Sequence, residues 1–445
     1  MEGLSGKFSP GPCHDMTRHE LYRKVTLRLI PFIFICYIVN QIDRTNISFA
    51  KLQFVADLGL TEAAYGLGAG LFFIGYVLFE VPSNLLLHRI GARKTLVRVM
   101  IVWGLMSMAT CLVRSPTQLY IVRFLLGVAE AGFFPGIIYY LSLWYPSARR
   151  ARVVSLFVMG IPFAGLLSSP VSGLILQSLA DTGGLRGWQW MFLIEGAPAV
   201  LLGIIAIWVL IDIPTDAPWL SDDERRMLDD DLRADAAARP TQPHEGLRAA
   251  VREPKVYVAA MVYFAIICGT NALILWMPTI IKEAGVVHLA NVGLLAAIPW
   301  IAAAIGMYLV GLSSDHRMER RWHVVGSMLA MALSFLLLVK FAGNLPIVIV
   351  LLALAATGIY SAVAVFWTIP STYLSGAAAA GGIAFISSIG GLGGFLSPSI
   401  IGWAKTATGN LYLGLAAVAA VLVIGASVLL RGIPARVLYI RPSTV

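Results

Sequence analysis

Along the chain, long apolar runs alternate with short polar ones. Twelve runs stand out, at residues 27–49, 64–87, 96–113, 119–145, 153–176, 191–211, 256–281, 292–312, 324–341, 345–369, 376–403 and 411–430. Several exceed the roughly 20 residues a spanning helix needs. Glycine and proline recur inside them, as membrane helices tolerate. The pattern predicts an all-α membrane protein of twelve transmembrane helices.

The polar intervals carry a second pattern. If the N-terminus is cytoplasmic, the inside segments hold 25 lysines and arginines and the outside loops 6, with Arg44 and Arg123 left inside spans. That asymmetry places both termini in the cytoplasm. The longest interval, 212–255, divides six spans from six. It predicts a cytosolic N-terminal tail at 1–24, a six-helix bundle at 25–211, a cytosolic linker, a second bundle at 256–431 and a cytosolic tail at 432–445. Within the linker, Ser221 and Glu224 have capping-box spacing, which predicts a short solvated amphipathic helix. The loop after the second span, "NLLLHRIGARK", and that after the eighth, "GLSSDHRMERR", are both basic and equivalently placed. Two parallel six-helix halves of this kind are a transporter architecture, with the substrate site between them near the midplane.

Composition agrees. Of the 445 residues 58% are hydrophobic and only 13% charged, against about 25% charged in soluble domains. The net charge of +9 is explained by the inside loops and does not call for nucleic acid. Cys13, Cys36, Cys111 and Cys268 are scattered and form no CxxC pair. They read as packing residues. All seven histidines map to tails or loops, which argues against haem or a buried metal. No P-loop motif occurs. The glycine runs at 66–70 and 390–394 sit in apolar spans and serve close helix packing or bending. No cofactor, nucleophile constellation or enzymatic activity is expected. No cleavable signal is visible in residues 1–24.

The informative residues are the charges inside spans. Span 1 carries Asp43 and Arg44, span 4 carries Arg123 and Glu130, and spans 2 and 6 carry Glu80 and Glu195. Each costs about 2.5–3.5 kcal/mol on insertion scales. Arg123 and Glu130 are seven residues apart, two turns on one helix face, with Gly127 between them. Counting from span ends puts Asp43, Arg44 and Arg123 at similar depth and Glu130 deeper. Two readings are open. One is a set of structural salt bridges. The other is a switch: arginine keeps its proton, a carboxylate can gain one, and protonating an acid frees an arginine to hold an anion. Ionisable groups at depth favour the second reading. Glu80, near Pro82, fits gating or packing, and Glu195 fits a buried structural acid. The C-terminal half offers neutral groups instead. Asn271, Trp276, Trp367 and Ser387 are candidates for contacting a substrate by shape, or for interfacial anchoring and interhelical hydrogen bonds.

Four stretches, "DRTNISFA", "FFIGYVLFEVPSNLLLHRIGARK", "RFLLGVAEAGFFPG" and "GWQWMFLIEG", resemble the major facilitator superfamily, and within it the anion:cation symporters. The pattern is most similar to bacterial tartrate, phthalate and aromatic-acid permeases. The resemblance implies a bacterial inner-membrane symporter that imports a small organic anion with protons by alternating access. It implies proton sites at Asp43 and Glu130, anion binding by Arg44 and Arg123, and a cavity position for Tyr76. Its inner-loop motif implies gating roles for Arg89 and Arg93, and for Asp315, Arg320 and Arg321 in the second copy. A monomer suffices for this fold. The partners expected are the anion, protons and the bilayer.

Three features depart from the family pattern. His88 stands where an acid is usual and Asn84 where a glycine is usual. Span 11 has Ser387 and Gly391 where sugar-acid symporters often carry asparagine, which weakens a polyhydroxylated substrate. "SSPVSG", at 168–173, resembles a motif of drug antiporters. The rival expectations are an anion exchanger or proton antiporter on the same fold, and a transport-inactive membrane sensor signalling through the linker.

Overall fold

A computed structural model describes residues 12–237, 252–373 and 376–434. The expected tail residues 1–11 and 435–445, and linker residues 238–251, lie outside the described residues. Fifteen helices longer than one turn are described. The first nine are α1 (Pro12–Asp57), α2 (Glu62–Ile90), α3 (Ala92–Ala109), α4 (Pro116–Glu130), α5 (Phe133–Ser142), α6 (Ser147–Val158), α7 (Gly160–Ser178), α8 (Gly187–Val209) and α9 (Asp222–Ala237). Six follow: α10 (Pro254–Glu283), α11 (Leu289–Arg317), α12 (Arg321–Phe341), α13 (Leu345–Phe366), α14 (Gly376–Thr408) and α15 (Leu411–Gly432). Among the described residues, twelve segments are long and apolar enough to cross a membrane. The fourth is α4 and α5 together, interrupted where Gly132 takes φ +95°.

Helices α1–α8 form one half and α10–α15 the other. Between the halves, α2 packs on α14, α7 on α11 and α1 on α10. Adding six to each span number turns the 2–11 contact into the 8–5 contact, so a pseudo-two-fold relates them. We call the side bearing the two ends of the described chain the terminal face, and the opposite side the distal face. The inter-half seams are made by glycines towards the distal face. A Cβ at Gly70 would stand 2.8 Å from the Phe395 carbonyl oxygen, and one at Gly173 2.6 Å from that of Leu289. Only glycine lets the backbones meet this closely.

Helix α9 has the expected capping box: Ser221 N donates to Glu224 Oε2 at 2.8 Å, and Glu224 N to Ser221 Oγ at 3.2 Å. It is docked on the first half, contrary to the solvated linker expected. Leu228 is fully buried. Lys24 pairs with Glu224 at 2.7 Å, Arg18 with Asp231 at 3.0 Å, and Trp219 stacks on Trp144. The acids that make α9 look soluble are partly used against basic residues of α1.

Candidate functional site

Helix α4 starts at Pro116 behind Ser115, whose hydroxyl accepts from Gln118 N, and runs unbroken to Glu130. Arg123 and Glu130 therefore share a face, as their spacing requires. Gly127 between them admits α2: an added Cβ would collide with the Phe72 carbonyl and stand 2.9 Å from Tyr76 N. Neither is the end of a flexible side chain. Gly127→Ala is therefore expected to destabilise the protein by about 1–3 kcal/mol, read as a lower half-denaturation temperature in detergent. An unchanged temperature would mean that the α2–α4 contact can spread without cost.

The close approach brings the Phe72 ring beside two guanidiniums, with Arg123 Cζ 5.0 Å and Arg44 Cζ 5.6 Å from its centroid. Arg44 also lies 5.0 Å from the Tyr76 ring. Such contacts hold a cation without competing for its hydrogen bonds. Glu130 is buried. Its Oε1 accepts from Asn40 Nδ2 at 2.8 Å and from Arg44 Nε in an ion pair. Its Oε2 is buried without a hydrogen-bond partner among the described residues.

Asp43 does not join Arg44. Successive helical residues point about 100° apart, and Asp43 faces α3 instead. It accepts from Ser107 Oγ at 2.6 Å, Trp103 Nε1 at 2.8 Å and Asn46 Nδ2 at 3.3 Å. All three donors are neutral. The two carboxylates are thus placed in different settings, one against a cation and one against dipoles. Arg123 differs again. It is 1% exposed, and its Nε and Nη1 have no hydrogen-bond partner among the described residues. Of the two arginines, Arg44 alone is paired with an acid among the described residues. Buried donors left unsatisfied are expensive. Two unpartnered donors on one guanidinium leave it free to take anionic oxygen, such as that of a carboxylate.

The remaining candidates separate. Glu80 is half-buried. Glu195 is buried and accepts from Ser172 Oγ of α7 at 2.6 Å, an interhelical bond inside one half. Trp367 and Tyr263 meet edge-on at 4.8 Å, both half-buried. Tyr263 lies within electrostatic range of Tyr37 and Arg44 across the interface, so this aromatic pair faces the Arg44 region. Ser387 is half-buried. Asn271 is mostly buried and donates to Ile267 O of its own helix. Trp276 is fully buried nearer the distal face, where Lys51 Nζ lies 3.8 Å from its ring centroid.

The inner-loop candidates bond within their own halves. Arg93 N donates to Asp212 Oδ1 at 2.7 Å and its side chain to Ile207 O. Arg89 is exposed. Arg320 pairs with Asp315 at 2.5 Å and donates to Ser314 Oγ, and Arg321 reaches Leu430 O. Sequence reasoning missed Asn40, Trp103 and Ser107, which hold the two carboxylates. Asn40 lies one turn before Arg44, a usable signal. Trp103 and Ser107 carried none.

Two packed six-span halves, with buried ionisable groups inside spans of the first half, define a membrane transporter of the two-bundle class. The family model of the Major Facilitator Superfamily matches residues 33–398, and the chain belongs to that superfamily. A "Putative tartrate transporter" of Agrobacterium vitis is 47% identical over 92% of this chain and 94% of its own length. The "Putative metabolite transport protein NicT" of Pseudomonas putida is 45% identical over 90% and 92%. A "Quinolone resistance transporter" of Acinetobacter baumannii is 41% identical over 91% and 93%. Among solved structures, a bacterial homolog of the human lysosomal transporter Spinster shares the fold. Its TM-score is 0.74 at 18% identity, covering 90% of this chain and 95% of that one. The chain is a multi-pass membrane transporter, not an enzyme.

Proposed function

We propose that the protein is a proton-coupled symporter that imports a small organic carboxylate across the bacterial inner membrane, with its terminal face in the cytoplasm. The observation that carries this reading is Arg123, a buried guanidinium with two unpartnered nitrogens beside the Arg44–Glu130 pair. Protonation of Glu130 releases Arg44, and the two arginines then hold an anion against the Phe72 and Tyr76 rings. Asp43, surrounded by neutral donors, is the second proton site. Anion and protons bind together because each balances the charge the other brings, and such coupling is reciprocal.

Relatives named for tartrate support an organic acid as the cargo. The aromatic walls from Tyr76, Tyr263 and Trp367 add flat aromatic carboxylates to the classes that fit. A thermal-shift screen across tartrate-like, sugar-acid and aromatic carboxylates reads the class, since a ligand at 100 times its Kd stabilises by about 2.7 kcal/mol. The coupling is tested in proteoliposomes. An inward proton gradient is expected to drive uptake above the external concentration, and Asp43→Asn to abolish that accumulation. Normal accumulation by this variant would remove Asp43 from the mechanism. A second reading, proton antiport or anion exchange on the same fold, draws on the relative named for quinolone resistance. It predicts counterflow with no net proton uptake alongside the substrate.

A further inference from the structure

Near the distal face, four charged residues from both halves meet. Lys51 of α1 pairs with Glu62 of α2 at 2.9 Å, Glu62 pairs with Lys405 of α14 at 2.7 Å, and Lys405 pairs with Glu283 of α10 at 2.7 Å. Two lysines and two glutamates alternate in sequence of contact, so the chain of charges is neutral. By sequence alone these are scattered loop-end residues. Folded, they bridge two helices of one half to two of the other.

Lys51 is the unusual member. It is only 4% exposed. Its ammonium lies over the Trp276 ring at 3.8 Å and the Tyr65 ring at 5.1 Å, and it donates to Thr279 Oγ1 at 3.0 Å. Trp276 and Thr279 both belong to α10, across the interface. Tyr65 closes the same seam, its hydroxyl donating to the Leu275 carbonyl at 2.9 Å. Tyr65 also lies within electrostatic range of Arg123. One aromatic layer therefore separates this charge chain from the candidate anion site.

Dehydrating an ion pair costs about as much as the attraction returns, whereas removing one partner strands a buried charge. A closed contact built this way stays reversible. Opening the seam would return all four groups to water, so the contact can part without stranding a buried charge. The glycine seams at Gly70 and Gly173 close on either side of it and supply the packing that makes the dehydrated state compact.

We propose that Lys51, paired with Glu62 and seated on Trp276, is the gating residue that holds the distal side of the transporter shut during the transport cycle. Trp276 is then a component of this latch rather than a substrate contact. The latch works on the transport established for the family and does not depend on which ion drives it.

The test reads the gap directly. Nitroxide labels at Ala56 and Ala407, exposed positions on opposite halves of the distal face, report the opening by pulsed electron–electron resonance. The parent protein is expected to give a dominant short distance. Glu62→Gln, which leaves Lys51 and Lys405 facing each other without their shared acid, is expected to raise the long-distance population at least threefold. Lys51→Gln is expected to raise it less, and the double variant Lys51→Gln/Glu62→Gln to fall below Glu62→Gln alone. If Glu62→Gln destabilises the fold, Lys405→Gln and Glu283→Gln at the partly exposed rim carry the same prediction. Unchanged distances in well-folded Lys51, Glu62 and Lys405 variants overturn the proposal. So does a double variant more open than Glu62→Gln.

Discussion

Glu130→Gln is expected to reduce proton-driven accumulation to simple equilibration, with internal substrate no higher than external. Glutamine has nearly the volume of glutamate and keeps an oxygen to accept from Asn40. What it lacks is the negative charge that occupies Arg44 and the ability to exchange a proton. In the proposed cycle Glu130 must give up its proton on the cytoplasmic side and reclaim Arg44, which expels the anion. A permanently neutral side chain cannot do so. Anion exchange, which needs no net proton movement, is expected to survive, and anion affinity to become less dependent on pH. Radiolabelled counterflow beside gradient-driven uptake separates these outcomes. If the Arg44–Glu130 pair serves packing alone, both assays decline together with thermal stability. If Glu130→Gln still accumulates substrate, Glu130 is not a coupling group.

Arg123→Lys is expected to weaken anion binding by roughly 10–100-fold although the positive charge is retained. A charge-assisted hydrogen bond is worth about 1.5–3 kcal/mol, and 1.4 kcal/mol is tenfold in affinity. Lysine is a point charge on a flexible stem and cannot present two coplanar donors to one carboxylate. The ring of Phe72, 5.0 Å from Arg123 Cζ, positions a planar group and gives an ammonium no equivalent orientation. Affinity from ligand-induced thermal shift or equilibrium binding measures the effect without requiring transport. Equal affinity in the two proteins would refute bidentate recognition. The variant's stability decides whether Arg123 serves packing instead, since that role would lower the melting temperature and leave affinity intact.

Much of the architecture was legible in the linear pattern. Membrane helices must satisfy their backbone internally and present apolar side chains to lipid, so twelve apolar runs became twelve spans. The seven-residue spacing of Arg123 and Glu130 survived because α4 is regular over that interval. The capping box at Ser221 and Glu224 appeared as expected, since its bonds join neighbours in sequence. The break at Gly132 was hidden inside one apolar run, because glycine in a membrane span serves packing as often as it serves a turn.

What the sequence by itself determined is the set of local and periodic features: the number of spans, the division into two halves, the capping of α9, and which charges lie inside apolar runs. These follow from hydropathy and helical geometry, which act within a few residues. The tertiary structure alone decided which partner each charge takes. Asp43 and Arg44 are neighbours in sequence, yet helical rotation sends one to Trp103 and Ser107 and the other to Glu130. Lys51, Glu62, Glu283 and Lys405 look like unrelated loop charges, yet four helices bring them together. Pairing depends on where packing places side chains that belong to different helices. No short-range pattern encodes that, because ridge-and-groove fit and the glycine seams set it only once the halves have closed.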